Sequence, residues 1–128
     1  MVTGGVEKMK CIIAGTRSYK IRFFIYRKLD LYSQILGAPD EVITGGAEGI
    51  DELGNSWAKE NGIATSVFPA DWDRYGKSAG PRRNAQMAKH AGKDGLLLAF
   101  WDGHSRGTKS MIDIAGKKGL KVIVEDMR

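Results

Sequence analysis

Five short apolar runs, separated by segments of helical periodicity, constrain the fold of this chain most. The runs are CIIA (11–14), EVIT (41–44), ATSVF (64–68), LLLAF (96–100) and KVIV (121–124). They do not alternate polar with apolar residues, which is typical of strands covered on both faces. Together with the intervening helices they predict an α/β, Rossmann-like, doubly wound fold with a five-stranded, mainly parallel sheet and helices on both faces.

Glycine and proline mark the ends of the four predicted helices. Apolar residues recur at helical spacing over 21–35, 53–58, 81–91 and 107–118. Gly37 and Gly62 follow the first two helices, and Pro81 lies at the start of the third, where its missing N–H costs nothing. With 128 residues, 42% of them apolar, we expect a flexible tail over 1–9 and a single domain over 10–128.

Charge and cysteine content limit the classes of function. Twenty Lys and Arg residues against 15 Asp and Glu give a net charge of +5, which favours anionic partners such as nucleotides or nucleic acid. The single cysteine, Cys11, lies in an apolar run and indicates a core residue in a reducing compartment. Neither a membrane span nor a signal peptide is present, so we expect a cytoplasmic protein with no membrane partner.

The loops that follow the strands are the predicted ligand-binding region, because ligands of doubly wound sheets bind beyond the carboxyl ends of the strands. These loops span 14–19, 44–51, 69–84 and 101–110. Three of them place glycine where a helix begins, which allows backbone N–H groups to approach an anion such as phosphate. The alternative is that Gly45 and Gly46 only turn the chain and that Gly49 allows close packing of the helix.

Charged and amide side chains in these loops are further candidates. Arg82 and Arg83 lie in a first helical turn, where the helix dipole repels cations unless an anion is bound nearby. Only one of the two is expected to face a pocket, and both being exposed is the alternative. Arg17 is a second candidate phosphate ligand, and Asn84 is expected to orient either the ligand or the neighbouring loop. Asp51 either complements the helix dipole or binds a ribose or the loop that holds it.

The segment GHSRGTKS (103–110) nearly matches the phosphate loop of nucleoside triphosphatases. Thr108 replaces the second glycine, and a β-branched residue resists the backbone conformation required there. A simpler anion site is expected, with hydroxyl and N–H groups from Ser105, Gly107 and Thr108. The aromatic residues near the loops either stack on a base or, for the two tryptophans, cap the core; they are Tyr19, Trp72, Tyr75 and Trp101.

Motifs for metal and redox chemistry are missing. His90 and His104 lack the spacing of metal ligands, and no G-x-G-x-x-G fingerprint follows a strand. We therefore expect no metal and no cofactor.

The loop motifs taken in order resemble the SLOG superfamily, which joins the DNA-processing protein Smf/DprA and the "lonely guy" (LOG) phosphoribohydrolases. The motifs are GTRSY (15–19), GGAEGID (45–51), RRNAQM (82–87) and a serine-glycine-threonine loop near 105–108. The closest likeness is to small stand-alone YspA- and YpsA-related proteins. In LOG enzymes a glutamate follows the glycine-threonine pair and acts with an arginine on an N-glycosidic bond; here Met111 occupies its place, so no catalytic residue is assigned.

Motifs and resemblance together give one set of candidate ligand-binding residues: Gly15, Thr16, Arg17, Gly45, Gly46, Gly49, Asp51, Arg82, Arg83, Asn84, Ser105, Gly107 and Thr108.

Three functions are compatible with these residues. The first is binding of a nucleotide or nucleotide-derived small molecule, as a sensor or processing domain. The second is hydrolysis of an N-glycosidic or phosphate bond of a nucleotide, with a carboxylate from another loop: Glu48, Asp51, Asp71, Asp73 or Asp102. The third is DprA-like binding of single-stranded nucleic acid. The apolar residues crowded on the first helix, Phe23, Phe24 and Tyr26, also favour a homodimer.

Overall fold

All five predicted strands form one parallel sheet. The computed structural model describes residues 9–18 and 21–128, so nearly all of the tail expected over 1–9, and Tyr19, lie outside the described residues. The strands are β1 (Lys10–Gly15), β2 (Glu41–Thr44), β3 (Ala64–Val67), β4 (Leu96–Trp101) and β5 (Lys121–Asp126). Their order is β3-β2-β1-β4-β5, and every pairing is parallel. The predicted α/β, Rossmann-like fold is confirmed.

Helices cover both faces of the sheet, as the continuous apolar strands require. They are α1 (Arg22–Leu36), α2 (Ile50–Glu60), α3 (Trp72–Tyr75), α4 (Ala79–Ala91) and α5 (Arg106–Lys117). One core cluster joins α1 and α2 to alternate strand residues such as Ile13 and Leu98, and the other joins α4 and α5 to Ile12 and Leu97. Cys11 is buried in the first cluster, and burial raises the pKa of its thiol to about 12, in keeping with a core residue.

The segment between β3 and α4 contains more helix than the sequence predicts. α3 is a single turn whose first amide groups are capped by Asp71, which accepts a 3.2 Å hydrogen bond from the Arg74 N–H. A 3₁₀ turn, Gly76–Ser78, then leads into α4, which begins two residues before Pro81. Pro81 is tolerated there because N–H groups of a first helical turn have no helical acceptor.

The strand order reverses between β1 and β4, because the chain moves outward through β2 and β3 and then returns to the other side of β1. The loops after β1 and β4 therefore diverge and leave a crevice at the carboxyl ends of these strands. None of the described helices is long and apolar enough to cross a membrane.

Candidate functional site

A cleft lies at this crevice and collects residues from five loops and helices. Ala14 and Gly15 end β1 at its floor, and the remaining walls come from the loops after β1 and β2 and from the N-terminal parts of α2, α4 and α5. Its lining residues are Ala14, Gly15, Arg17, Ala47, Asp51, Arg83, Asn84, Met87, Ser105, Gly107, Thr108 and Met111. Eight of the thirteen residues proposed from sequence are among them: Gly15, Arg17, Asp51, Arg83, Asn84, Ser105, Gly107 and Thr108.

Hydrogen bonds from two of its three nitrogens hold the guanidinium of Arg83 in place. Nη1 donates to the backbone oxygens of Gly45 at 2.8 Å and Phe68 at 3.3 Å, and Nε donates to Asn84 Oδ1 at 2.9 Å. The two N–H donors of Nη2 have no acceptor among the described residues. An arginine held in this way presents a preoriented pair of donors to a phosphate or carboxylate at little further entropic cost.

Asp51 organises the loop after β2. Its side chain is 6% exposed, and Oδ2 accepts hydrogen bonds from the N–H groups of Gly45 at 3.0 Å and Ala47 at 3.2 Å. The amide of Gly45 is thus engaged by Asp51 in this structure rather than free for a ligand. Of the roles considered for Asp51, these two hydrogen bonds correspond to holding the loop after β2 in place.

Burial dominates the electrostatics of Asp51. Loss of solvent raises its pKa to about 6, although the two backbone hydrogen bonds and the positive charges of Arg83 and Arg17 act in the opposite direction. Burial likewise lowers the pKa of Arg83, against the effect of Asp51. A carboxyl group and a guanidinium thus share a partly dehydrated cleft, which strengthens electrostatic contacts with a bound ligand.

The N-terminus of α5 forms the wall opposite the glycine loop. Ser105 caps the helix, since its Oγ accepts a 3.3 Å hydrogen bond from the Thr108 N–H and lies 3.1 Å from Thr108 Oγ1. The amides of Arg106 and Gly107 make no hydrogen bond with the described residues. Asn84, 3% exposed, connects this turn to α4 through its Nδ2 contacts with Gly107 O at 3.4 Å and Ser110 Oγ at 3.3 Å.

Two glycines allow the loops to approach one another. A Cβ on Gly49, whose φ is +78°, would lie 2.4 Å from the backbone oxygen of Arg17. A Cβ on Gly15 would lie 2.5 Å from the backbone oxygen of Phe100. Gly49 therefore allows close contact between the start of α2 and the loop after β1, which carries Arg17. Arg17 is exposed and forms no hydrogen bond or ion pair with the described residues.

Five proposed residues do not line the cleft: Thr16, Gly45, Gly46, Gly49 and Arg82. Arg82 instead lies over the Tyr75 ring, 4.3 Å from its centroid, and its Nε donates to Ser78 Oγ at 3.1 Å. This difference agrees with the expectation that only one of the adjacent arginines faces the pocket. Four apolar lining residues were not predicted to bind the ligand: Ala14, Ala47, Met87 and Met111. Ala14, Met87 and Met111 belong to the core pattern of β1, α4 and α5, whereas Ala47 lies in the loop after β2.

Asp51 alone among the five alternative carboxylates lines the cleft. Asp71 caps α3, and Asp102 accepts hydrogen bonds from the amides of His104 and Ser105 at 2.8 and 2.9 Å. Met111, 1% exposed, lies in the cleft wall. Within the part of the chain that the structure describes, no three His, Cys, Asp or Glu side chains are grouped to hold a metal ion.

Comparison with known proteins adds the family. Gene 61 protein of Mycobacterium phage D29 is 35% identical over 121 residues, which is 89% of this chain and 94% of the phage protein. No solved structure matches the chain. The model of the family YAcAr, described as the YspA, cpYpsA-related SLOG family, matches residues 9–75, from β1 through α3. The chain belongs to the YspA and cpYpsA-related SLOG family.

Proposed function

We propose that this protein binds a nucleotide or a nucleotide-derived ligand at the carboxyl ends of β1 and β4, with a phosphate group in the cleft. The observation that carries the proposal is the unused donor edge of Arg83, which lines the same cleft as the uncapped amides at the start of α5. A fixed guanidinium and a helix N-terminus both favour an anion. Membership in the SLOG family supports a nucleotide as the source of that anion.

Gly107→Ala tests nucleotide binding without disturbing the fold of the unliganded protein. A Cβ on Gly107 would meet no atom within 4 Å, so Gly107→Ala fills only open space at the cleft wall. Gly116→Ala is the matched control, because it adds the same methyl group to the same helix in equally open space away from the cleft. We expect Gly107→Ala to weaken nucleotide binding by about tenfold, since a methyl group obstructs close approach of a phosphate to the backbone, and Gly116→Ala to leave it unchanged.

Arg83→Ala tests the second part of the proposed phosphate site. Calorimetry with a panel of adenine and guanine nucleotides is expected to show binding that Arg83→Ala weakens by more than tenfold. Its neighbour Arg82, exposed and turned toward Tyr75, is the matched control. Thermal denaturation of each variant separates loss of binding from loss of folding. A broad panel that gives neither heat nor a thermal shift with the unaltered protein would exclude the proposed function.

Hydrolysis of a nucleotide in the same cleft is the second candidate function, and Asp51 is the observation that favours it. A carboxyl group with a pKa of about 6 can exchange a proton near neutral pH, as a general acid or base requires. Incubation with nucleotides followed by chromatography is expected to release free base or ribose phosphate if this function is correct. Saturating binding without any product argues for a binding protein.

A further inference from the structure

The enclosed part of the cleft is too small for a whole nucleotide. Its cavity volume is about 60 Å³, whereas sites that enclose a small molecule are roughly 300–1,000 Å³. If the proposed function is correct, the phosphate occupies the cleft and the sugar and base extend beyond it. The rim of the cleft must then supply whatever recognises the base.

Trp72 lies against the start of α4, the helix that carries Arg83. A Cβ placed on Gly80 would be 3.3 Å from Trp72 Cη2, so the indole covers the start of α4 at Gly80. Gly80 and Arg83 are three residues apart on α4 and therefore lie on the same side of the helix, one turn from each other. Since Arg83 lines the cleft, the indole covers α4 one helical turn before a cleft residue.

The indole of Trp72 is the most available of the three tryptophan rings. Trp57 is buried and donates its Nε1–H to Asp30 at 2.8 Å, and Trp101 donates to the Ser105 oxygen at 3.0 Å. Trp72 is 51% exposed, and its N–H has no acceptor among the described residues. The indole N–H of Trp101 is thus engaged at the site wall, whereas Trp72 leaves aromatic surface in solvent.

The other aromatic residue of α3 has positive charge against its ring. Tyr75, in the same short helix, has the guanidinium of Arg82 4.3 Å from its ring centroid and that of Arg74 at 5.1 Å. An aromatic ring beside cationic groups is the arrangement that proteins use to hold a base next to its phosphate. A 5′-nucleotide has its base one sugar away from the phosphate, so the ring that holds the base must lie near the arginine that holds the phosphate.

We infer that Trp72 is a stacking surface for the nucleobase of a ligand whose phosphate lies against Arg83. The inference rests on the proposed function and specifies its ligand class: nucleotides with an intact base, purines above pyrimidines because of their larger ring surface. Sugar phosphates without a base bind through the cleft alone.

The test compares AMP with ribose 5-phosphate in the unaltered protein and in Trp72→Ala and Trp72→Phe. AMP is expected to bind more tightly than ribose 5-phosphate, by about 5- to 150-fold for a stacked base. Trp72→Ala should remove this difference without altering the affinity for ribose 5-phosphate, and Trp72→Phe should retain most of it. Phe23→Ala, which removes an aromatic ring of 70% exposure on α1, is the matched control and should change neither affinity.

The outcomes distinguish the two proposals. If AMP and ribose 5-phosphate bind equally, or if Trp72→Ala keeps the preference for AMP, stacking on Trp72 is excluded and the phosphate site stands. If neither compound nor any other nucleotide binds, the proposed function fails and the stacking inference fails with it. Affinity for oligonucleotides that grows with each added nucleotide and falls steeply with salt would overturn the single-base site in favour of a strand-binding surface.

Discussion

Gly45 and Arg83 are packed so closely that a Cβ at position 45 would have to displace the guanidinium. Arg83 Nη1 donates a 2.8 Å hydrogen bond to the Gly45 oxygen, and a Cβ at position 45 would lie 2.2 Å from the same nitrogen. Gly45 belongs to the glycine pair that indicated a phosphate-binding loop. In the structure it leaves room for the Arg83 guanidinium, which lines the cleft.

Gly45→Ala is expected to displace the Arg83 side chain. The free energy of unfolding should fall by about 1–3 kcal/mol from overpacking, and nucleotide affinity should fall by more than tenfold. In an Arg83→Ala background the same substitution should cost much less, because the clashing nitrogen is gone. Denaturant unfolding of the four proteins measures this coupling. Additive effects would show that the two residues are independent.

Affinity for an anionic ligand is expected to depend on the protonation of Asp51. Burial raises the pKa of Asp51 to about 6, above the value of about 3.9 for an unfolded aspartate. The folded state therefore binds the Asp51 proton more tightly than the unfolded state does. This proton stabilises the folded state at low pH, and the stabilisation is lost as the pH rises through about 6. A phosphate raises the pKa of Asp51 further, so binding should weaken as pH rises through the same range, about tenfold for each unit of additional shift.

Asp51→Asn should flatten this pH dependence, because its amide oxygen can accept the hydrogen bonds that Gly45 and Ala47 donate. The suitable probe is a pyrophosphate diester such as ADP-ribose, which has no terminal phosphate, because terminal phosphates titrate near pH 6 themselves. Calorimetry between about pH 5 and pH 8 makes the measurement. Equal pH dependence in both proteins would mean that another group is responsible.

Gly49→Ala is expected to destabilise the fold. The φ of +78° is strained for alanine, and the added Cβ would lie 2.4 Å from the Arg17 oxygen. The two effects together should lower the free energy of unfolding by about 2 kcal/mol or more. Gly116→Ala, in the open part of α5, should not destabilise the protein and serves as control. Chemical denaturation of both variants compares them directly.

Dimerisation through α1 stays a prediction. Phe23 and Ile35, 70% and 67% exposed, leave apolar side chains in solvent on this helix. Phe23→Glu is expected to convert dimers to monomers in analytical ultracentrifugation. A monomeric unaltered protein would exclude this interface.

The elements themselves were predictable because their signals are local. Continuous apolar runs and helical periodicity identified the five strands and the four longer helices. The single turn α3 was not predicted, since a four-residue helix held by the Asp71 cap has no periodicity to detect. Grouping of the loops at one sheet edge followed from parallel topology, and eight proposed residues line the cleft for that reason.

The sequence by itself determined the alternation of strands and helices, the family and the edge of the sheet where the polar loops meet. Tertiary structure decided which neighbour faces the cleft, so that Arg83 lines it while Arg82 stacks on Tyr75. It also decided that the Gly45 amide serves Asp51 and that Trp72 remains exposed while Trp101 does not. Local patterns record the period of burial along the chain, whereas the partner of each side chain depends on contacts between segments distant in sequence.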